Sequence, residues 1–369
     1  MVKVSSLLAG TACAVCFAAT AAFGQADNLT PQEQALIEAA KAEGAVTLIH
    51  PLFSDRTGQN LGEAFKARYG LGDDFEVNFL RKGTGATVSQ VRQEIQAGTF
   101  TVDAILVSAP PFFAAGSERG AFEELDSGYW KDSEKLANEA GQYSNYPYVV
   151  VPLAYTFQPV WNASCDGMAD VDVKSYKDVV GSGLEGKTIA SDITKSFTYT
   201  NTVISLRDNE ALDIDAFWPE LKATDPIIEF RTEPKMQMVI TCQRPLDMWN
   251  LSGRVYQNVL KQPDLKDKLK IGSYEEGQVM LGNQIAVIKG SAHPNAAKLL
   301  VEFLLSKEGT DIVVEGEAVY SFREGYQPPA DAAPYLLDMS QIKLLGMKDW
   351  VAAQGEYEKV RGDWQQIFQ

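Results

Sequence analysis

The sequence predicts an α/β fold of two lobes joined by two crossover strands, and three observations carry that expectation. Short strand-type runs alternate with glycine-closed helical stretches over the first hundred or so mature residues. A segment rich in Asp, Gly and Ser then intervenes over 162–192, as if a new domain were entered, and a second alternating region follows. Last, a strand-type run at 279–289 leads into an amphipathic helix with the character of the opening lobe.

Taken in order, Thr30 with Glu33 makes a capping-box pattern, Pro31 suits the first helical position, and Leu36, Ile37 and Ala40 form an apolar stripe that Gly44 ends. A strand is predicted over 45–50, a helix over 61–69 closed by Gly70, and a strand over 75–79. A helix over 84–97 follows, with Val88, Val91 and Ile95 at helical spacing, then Gly98 and a strand over 102–107. Such spacing implies βαβ units, right-handed crossovers and a parallel sheet, with ligands beyond the carboxyl ends of the strands. Residues 148–157 read as an outgoing strand. The second region holds predicted helices at 199–207, 214–224 and 235–242 and a strand at 245–250. The chain returns through 279–289, Gly290 and Pro294 to a helix over 296–305, and the proline-rich patch 328–334 precedes C-terminal helices within 340–368. The expected division is a first lobe of 27–155 and 281–369, the latter with the C-terminal helices, and a second lobe of 156–280.

Residues 1–26 read as a secretory signal peptide: Lys3, an apolar run over 7–23, and small residues up to Ala26. Gly10, Thr11 and Thr20 interrupt the run and fit a membrane anchor poorly, and neither Cys13 nor Cys16 has the leucine three positions earlier that lipidation favours. No later stretch reaches the roughly 20 uninterrupted apolar residues of a spanning helix. The net charge of −16, one unit more negative once Lys3 is lost, argues against nucleic acid and anionic membranes as partners and leaves the sign of a small ligand open. Cys165 and Cys242 are the cysteines beyond the signal. In an oxidising compartment they are expected to bond, a closure worth about 4 kcal/mol in the chain-entropy model; a catalytic thiol is the competing reading.

Three stretches carry a resemblance. The first is the opening helix with Glu43-Gly44-Ala45-Val46 and its strand. The second is Ile285-Ala286-Val287-Ile288-Lys289-Gly290, then His293-Pro294 and the run from Leu299-Leu300-Val301-Glu302 to Glu308-Gly309. The third is the tail, with Asp349-Trp350, Trp364 and Ile367-Phe368. In this order they resemble the periplasmic substrate-binding proteins of ATP-binding-cassette importers, type II, extracellular solute-binding family 1, in the branch of ferric-ion, phosphosugar and phosphonate receptors. The resemblance covers essentially the whole mature chain. It implies a periplasmic, monomeric, non-catalytic receptor without a cofactor, whose two lobes close on a small ligand and dock on a membrane permease.

The resemblance also points to the loops that face the cleft. Phe53-Ser54-Asp55-Arg56 is the first, and Gly83-Thr84-Gly85-Ala86-Thr87 the second; its glycines and helix start suit an anion, though an ordinary glycine-rich turn explains them equally. Ser108 opens the third loop, and Ser196, Phe197 and Thr198 precede a helix in the other lobe. Trp249 is read either as a stacking surface for an organic group or as core, and Tyr155 with Phe157 as hinge or pocket. Tyr320 and Arg323 form the expected far wall, with Arg56 or Arg323 balancing a carboxylate or phosphate. No ligand-binding metal is expected: adjacent tyrosines of the kind ferric receptors use are absent, although Tyr199 and Tyr320 keep an iron reading open. A thiamine-degrading type of enzyme with Cys165 or Cys242 as cleft nucleophile is a further alternative, and a sensory receptor with the same cleft is another. The expected function is reversible capture of a small organic anion.

Overall fold

The computed structural model describes residues 28–369, so the signal segment expected over 1–26 lies outside the described residues. The chain opens with α1 (Pro31–Glu43), β1 (Ala45–His50), α2 (Asp55–Tyr69), β2 (Glu76–Arg81), α3 (Thr84–Ala97), β3 (Ala104–Val107), α4 (Pro110–Glu118), α5 (Lys131–Glu139) and β4 (Val150–Thr156). The capping box at the start of α1 is formed on both sides, Thr30 N donating to Glu33 Oε2 at 2.6 Å and Glu33 N to Thr30 Oγ1 at 3.1 Å. Gly44 ends the helix at φ 75°, the left-handed conformation that glycine adopts freely. Helix α2 begins six residues before its predicted start. Ser54 caps it by accepting from Thr57 N, and the polar first turns hide its periodicity.

A second unit follows: β5 (Gln158–Asn162), α6 (Tyr176–Val179), β6 (Thr188–Ala190), α7 (Phe197–Asp208), α8 (Ile214–Ala223), β7 (Ile227–Ile228), α9 (Thr232–Ile240), β8 (Leu246–Asn250), α10 (Ser252–Lys261), α11 (Leu265–Lys268) and β9 (Leu269–Ile271). The chain then passes through β10 (Gln278–Val287), α12 (Pro294–Leu305), α13 (Lys307–Glu317), β11 (Tyr320–Ser321), β12 (Leu344–Leu345) and α14 (Tyr357–Phe368). Two sheets result, β11-β4-β10-β3-β1-β2 with β12 beside β10, and β7-β6-β8-β5-β9.

The sheets are mixed rather than parallel. Strand β1 runs parallel to β2 and β3, and β6 to β7 and β8, as the βαβ spacing predicts. Strand β10 is antiparallel to β3 and β4, and β5 to β8 and β9, because these strands carry the chain between the sheets. Only Phe157 separates β4 of the first sheet from β5 of the second, and β10 returns alongside, Met280 opposite Thr156. Every residue of β10 is buried, the pattern of a strand covered on both faces.

The end of the chain departs from expectation. Of the helices foreseen within 340–368, one α-helix forms, α14, preceded by a short 3-10 turn, Ala352–Glu356. It packs on α7 and α8, so it sits with the smaller sheet. The reason is apolar: Trp364 meets Trp218 of α8 at 5.5 Å between ring centroids and stacks on Phe368 at 3.9 Å.

Cys165 and Cys242 form a disulfide, Cα atoms 5.6 Å apart, that ties the loop after β5 to the far end of α9 across 77 residues. Replacing both by alanine is expected to lower unfolding free energy by about 2–4 kcal/mol. Equilibrium urea unfolding checks this, and an unchanged midpoint would show the cross-link to be dispensable.

In the first turn of α1, Glu33 is fully buried and accepts from Tyr69 Oη at 2.6 Å and Arg68 Nε at 3.1 Å. Its neighbour Glu302 accepts from Gly128 N at 2.8 Å, yet burial pushes its carboxyl up to about 7 from 4.5. The folded state thus holds a proton between those pH values that the unfolded chain releases. Stability is greatest below pH 4.5 with respect to this group and falls by about 3 kcal/mol as pH rises through 7. Glu302→Gln is expected to flatten that slope and raise the melting temperature at pH 8. Thermal melts at pH 5 and pH 8 decide it, and equal slopes in both proteins would refute it.

Candidate functional site

Between the two units lies a cavity of about 690 Å³, and four helices begin at its wall. In α3 the N-cap is Gly83, which has no side chain to offer, and the first intrahelical bond is Thr87 N to Gly83 O. The N–H groups of Thr84, Gly85 and Ala86 therefore precede the helical ladder, and all three residues line the cavity. Across the space, α9 and α10 also start without a side-chain cap, whereas Ser196 caps α7 by accepting from Tyr199 N. Such helix starts carry partial positive charge.

Arg254, on the first turn of α10, adds a full charge. Its Nε donates to Thr232 Oγ1 at 3.1 Å and its Nη1 to Gln257 Oε1 at 2.7 Å, both neutral acceptors, while the nearest carboxylate, Glu233, is 4.0 Å away. Burial, and then the field of Arg81, push its pKa down. The opposite charge of an incoming anion would offset both effects. Arg361 of α14 borders the same cavity, its Nε donating to Thr200 Oγ1 at 3.1 Å and its guanidinium lying 4.9 Å over the Phe197 ring. Lys195 and Arg231 stand at the rim, each side chain 61% exposed; Arg231 is bound by Glu229, whose carboxyl its hydrogen bonds hold down to about 2.

The floor is aromatic. Tyr199 lies 4.3 Å from Phe157, and behind it Trp249 stacks at 5.8 Å. Fully buried Lys235 supports this layer, its Nζ 5.0 Å from the Tyr199 ring and donating to Ser191 Oγ at 2.7 Å, Asp247 Oδ1 at 3.1 Å and the Trp249 carbonyl. Burial opposes that charge, and Asp247 with Tyr199 more than offsets it, so the ammonium persists. A smaller space of about 150 Å³ continues from the cavity past Arg254 to Gln257 and Glu317.

Of the residues singled out from sequence, Thr84, Gly85, Ala86, Tyr155, Ser196, Phe197 and Thr198 line the main cavity. Six do not. Ser54 is engaged at the start of α2, its N–H donating to Glu317 Oε1 at 2.6 Å, and Arg56 beside it is exposed. Ser108 is buried at the end of β3. Trp249 is core, its Nε1 donating to Tyr176 Oη at 3.0 Å. Tyr320 is on strand β11, where its hydroxyl accepts from Leu337 N. Arg323, the expected charge partner, instead donates to Leu305 O at 3.3 Å and lies over the Tyr129 ring. Arg254 and Arg361 border the cavity instead, and sequence reasoning singled out neither. Arg254 had a signal, since Leu251-Ser252-Gly253 directly follows strand β8 at its carboxyl end. Arg361 had none, because α14 was expected in the other lobe.

Neither Cys165 nor Cys242 borders the cavity, and their bond leaves no thiol there. Among the described residues no group of three or more His, Cys, Asp or Glu is placed to hold a metal. His50 is buried and accepts from Leu52 N and Phe53 N, with its pKa lowered to about 3 by burial and then Arg81; His293 pairs with Asp103 at 3.0 Å.

Two α/β units, paired crossover strands and a cleft between them define the fold of type II periplasmic substrate-binding proteins. The solved structures it resembles bear this out. The substrate-binding protein of an ATP-binding-cassette transporter from Agrobacterium tumefaciens matches with a TM-score of 0.72 at 14% identity, over 88% of this chain and 94% of that one. Iron-bound HitA from Pseudomonas aeruginosa matches at 0.68 and 19% identity, over 88% and 99%. The periplasmic binding protein AfuA from Actinobacillus pleuropneumoniae, with exogenous fructose-6-phosphate bound, matches at 0.68 and 14%, over 88% and 98%. No protein-family model matches the sequence, and no curated protein matches it.

Proposed function

We propose that the protein is a periplasmic receptor that reversibly captures a small organic anion, carboxylate or phosphorylated, and passes it to the permease of an ATP-binding-cassette importer. The observation that carries the ligand class is Arg254, a desolvated guanidinium with neutral hydrogen-bond partners, set among uncapped helix starts. Similar structures hold iron in one case and fructose-6-phosphate in another, so the fold leaves the ligand open and the cleft chemistry must choose. Hard Fe(III) calls for clustered anionic oxygens, whereas this cavity sets one carboxylate among the described residues, Glu233, and two tyrosines whose pKa burial raises, Tyr155 and Tyr199, against Lys195, Arg231, Arg254 and Arg361. In this reading the lobes close about Phe157 and residues 272–277, and capture needs no covalent step. The periplasmic location rests on the signal-like first 26 residues and the fold, and no helix of the described residues is long and apolar enough to cross a membrane.

A thermal-shift screen of carboxylates, phosphonates, sugar phosphates, polyols and Fe(III) tests the proposal. An anion at a hundred times its Kd stabilises the folded state by about 2.7 kcal/mol. A shift given only by neutral polyols or by Fe(III) would overturn the assignment.

A further inference from the structure

The space between the lobes continues past Phe197. Beyond that ring lies a second chamber of about 370 Å³, with α3 on one side and Gln354 and Tyr357 on the other. Gly85 and Phe197 line both chambers. A Cβ on Gly85 would stand 3.4 Å from the Phe197 ring, so this one aromatic side chain against a bare helix turn forms the partition. The partition is braced from α14. Arg361 lies over Phe197, Tyr357 approaches it at 5.7 Å, and the Tyr357 hydroxyl donates to Asn201 of α7.

The chambers differ in chemistry. The inner one has arginines and helix starts, while the outer one offers Val88, Pro111, Phe112 and Tyr357 as an apolar face and Gln93 and Gln354 as neutral edges. No carboxylate borders it among the described residues, and its one cation, Arg92, is exposed. A slot walled by rings and aliphatic groups with side-chain amides at its edge suits a flat apolar substituent. It does not suit a second charged group.

We propose that the outer chamber is a second subsite for the same ligand, receiving a flat apolar or aromatic substituent while the anionic group is held in the cleft. Phe197 then sets the spacer length between the two. This rests on the anion reading above and extends it to a class: an organic anion with an apolar group several bonds from its charge.

The test uses isothermal titration calorimetry of the mature protein with methylphosphonate and 5-phenylpentylphosphonate. Ser89 and Gln93 are exposed on α3 and border only the outer chamber, so Ser89→Trp and, as a second variant, Gln93→Trp fill it without touching the cleft. The phenylpentyl compound is expected to bind at least tenfold tighter than methylphosphonate. Both variants should abolish that gain and leave methylphosphonate within twofold, which also shows that they are folded. Equal affinities in the unaltered protein, or a gain that survives both tryptophans, would overturn the subsite while leaving the anion reading intact. If neither phosphonate bound, the subsite would fall, and the anion reading would be decided by the carboxylates and sugar phosphates of the thermal-shift screen.

Discussion

Arg254→Met is expected to weaken binding of a carboxylated or phosphorylated ligand by about thirtyfold, because hydrogen bonds to a charged group contribute about 1.5–3 kcal/mol. Methionine keeps the apolar stem, and the partners it abandons, Thr232 and Gln257, are neutral side chains beside the cleft, so the fold should survive. The control is Arg231→Met. That guanidinium is 61% exposed and already bound to Glu229, so its removal should change affinity by about threefold or less. Calorimetric titration of both variants with one anion decides the matter. Equal losses would mean that the cleft attracts anions through diffuse charge and that Arg254 has no special place in it.

The second large effect concerns stability. Lys235→Met is expected to lower unfolding free energy by about 3–5 kcal/mol, since it leaves Asp247 buried without its cation. Asp247 retains hydrogen bonds from Trp249 N at 3.0 Å and Asn250 Nδ2 at 2.8 Å, which soften the loss without supplying charge. Adding Asp247→Asn should recover part of it, and the double-mutant cycle measures the coupling. Urea unfolding at neutral pH is the readout. A loss below about 1 kcal/mol would show that the aromatic floor needs no buried cation beneath it.

The parts of this architecture legible in the sequence are those governed by local rules. The Thr30–Glu33 box, the glycine ends at Gly44, Gly70 and Gly98, and the helix start at Thr84 are settled by residues within a few positions of each other, and the structure places them as read. The loops after strands likewise brought Thr84 to Ala86 and Ser196 to Thr198 to the cleft. What failed depended on distant packing. Trp249 and Tyr320 are amphipathic residues whose polar tips could have faced a ligand, but Tyr176 and Leu337, remote in sequence, claim them. Arg323 is expected at the far wall from its place after the return helix and from its charge, but a carbonyl, a ring and Asp132 in its own lobe hold it. The position of α14, and with it Arg361, is decided by Trp218 of α8, a partner no local pattern announces.

The measurement closest to the central claim is mass spectrometry of the small molecule released when natively purified protein is denatured. A cleft built from Arg254, Arg361 and uncapped helix starts predicts a carboxylated or phosphorylated organic compound in near-stoichiometric amount. Stoichiometric iron without an organic anion, or a neutral sugar, would contradict it.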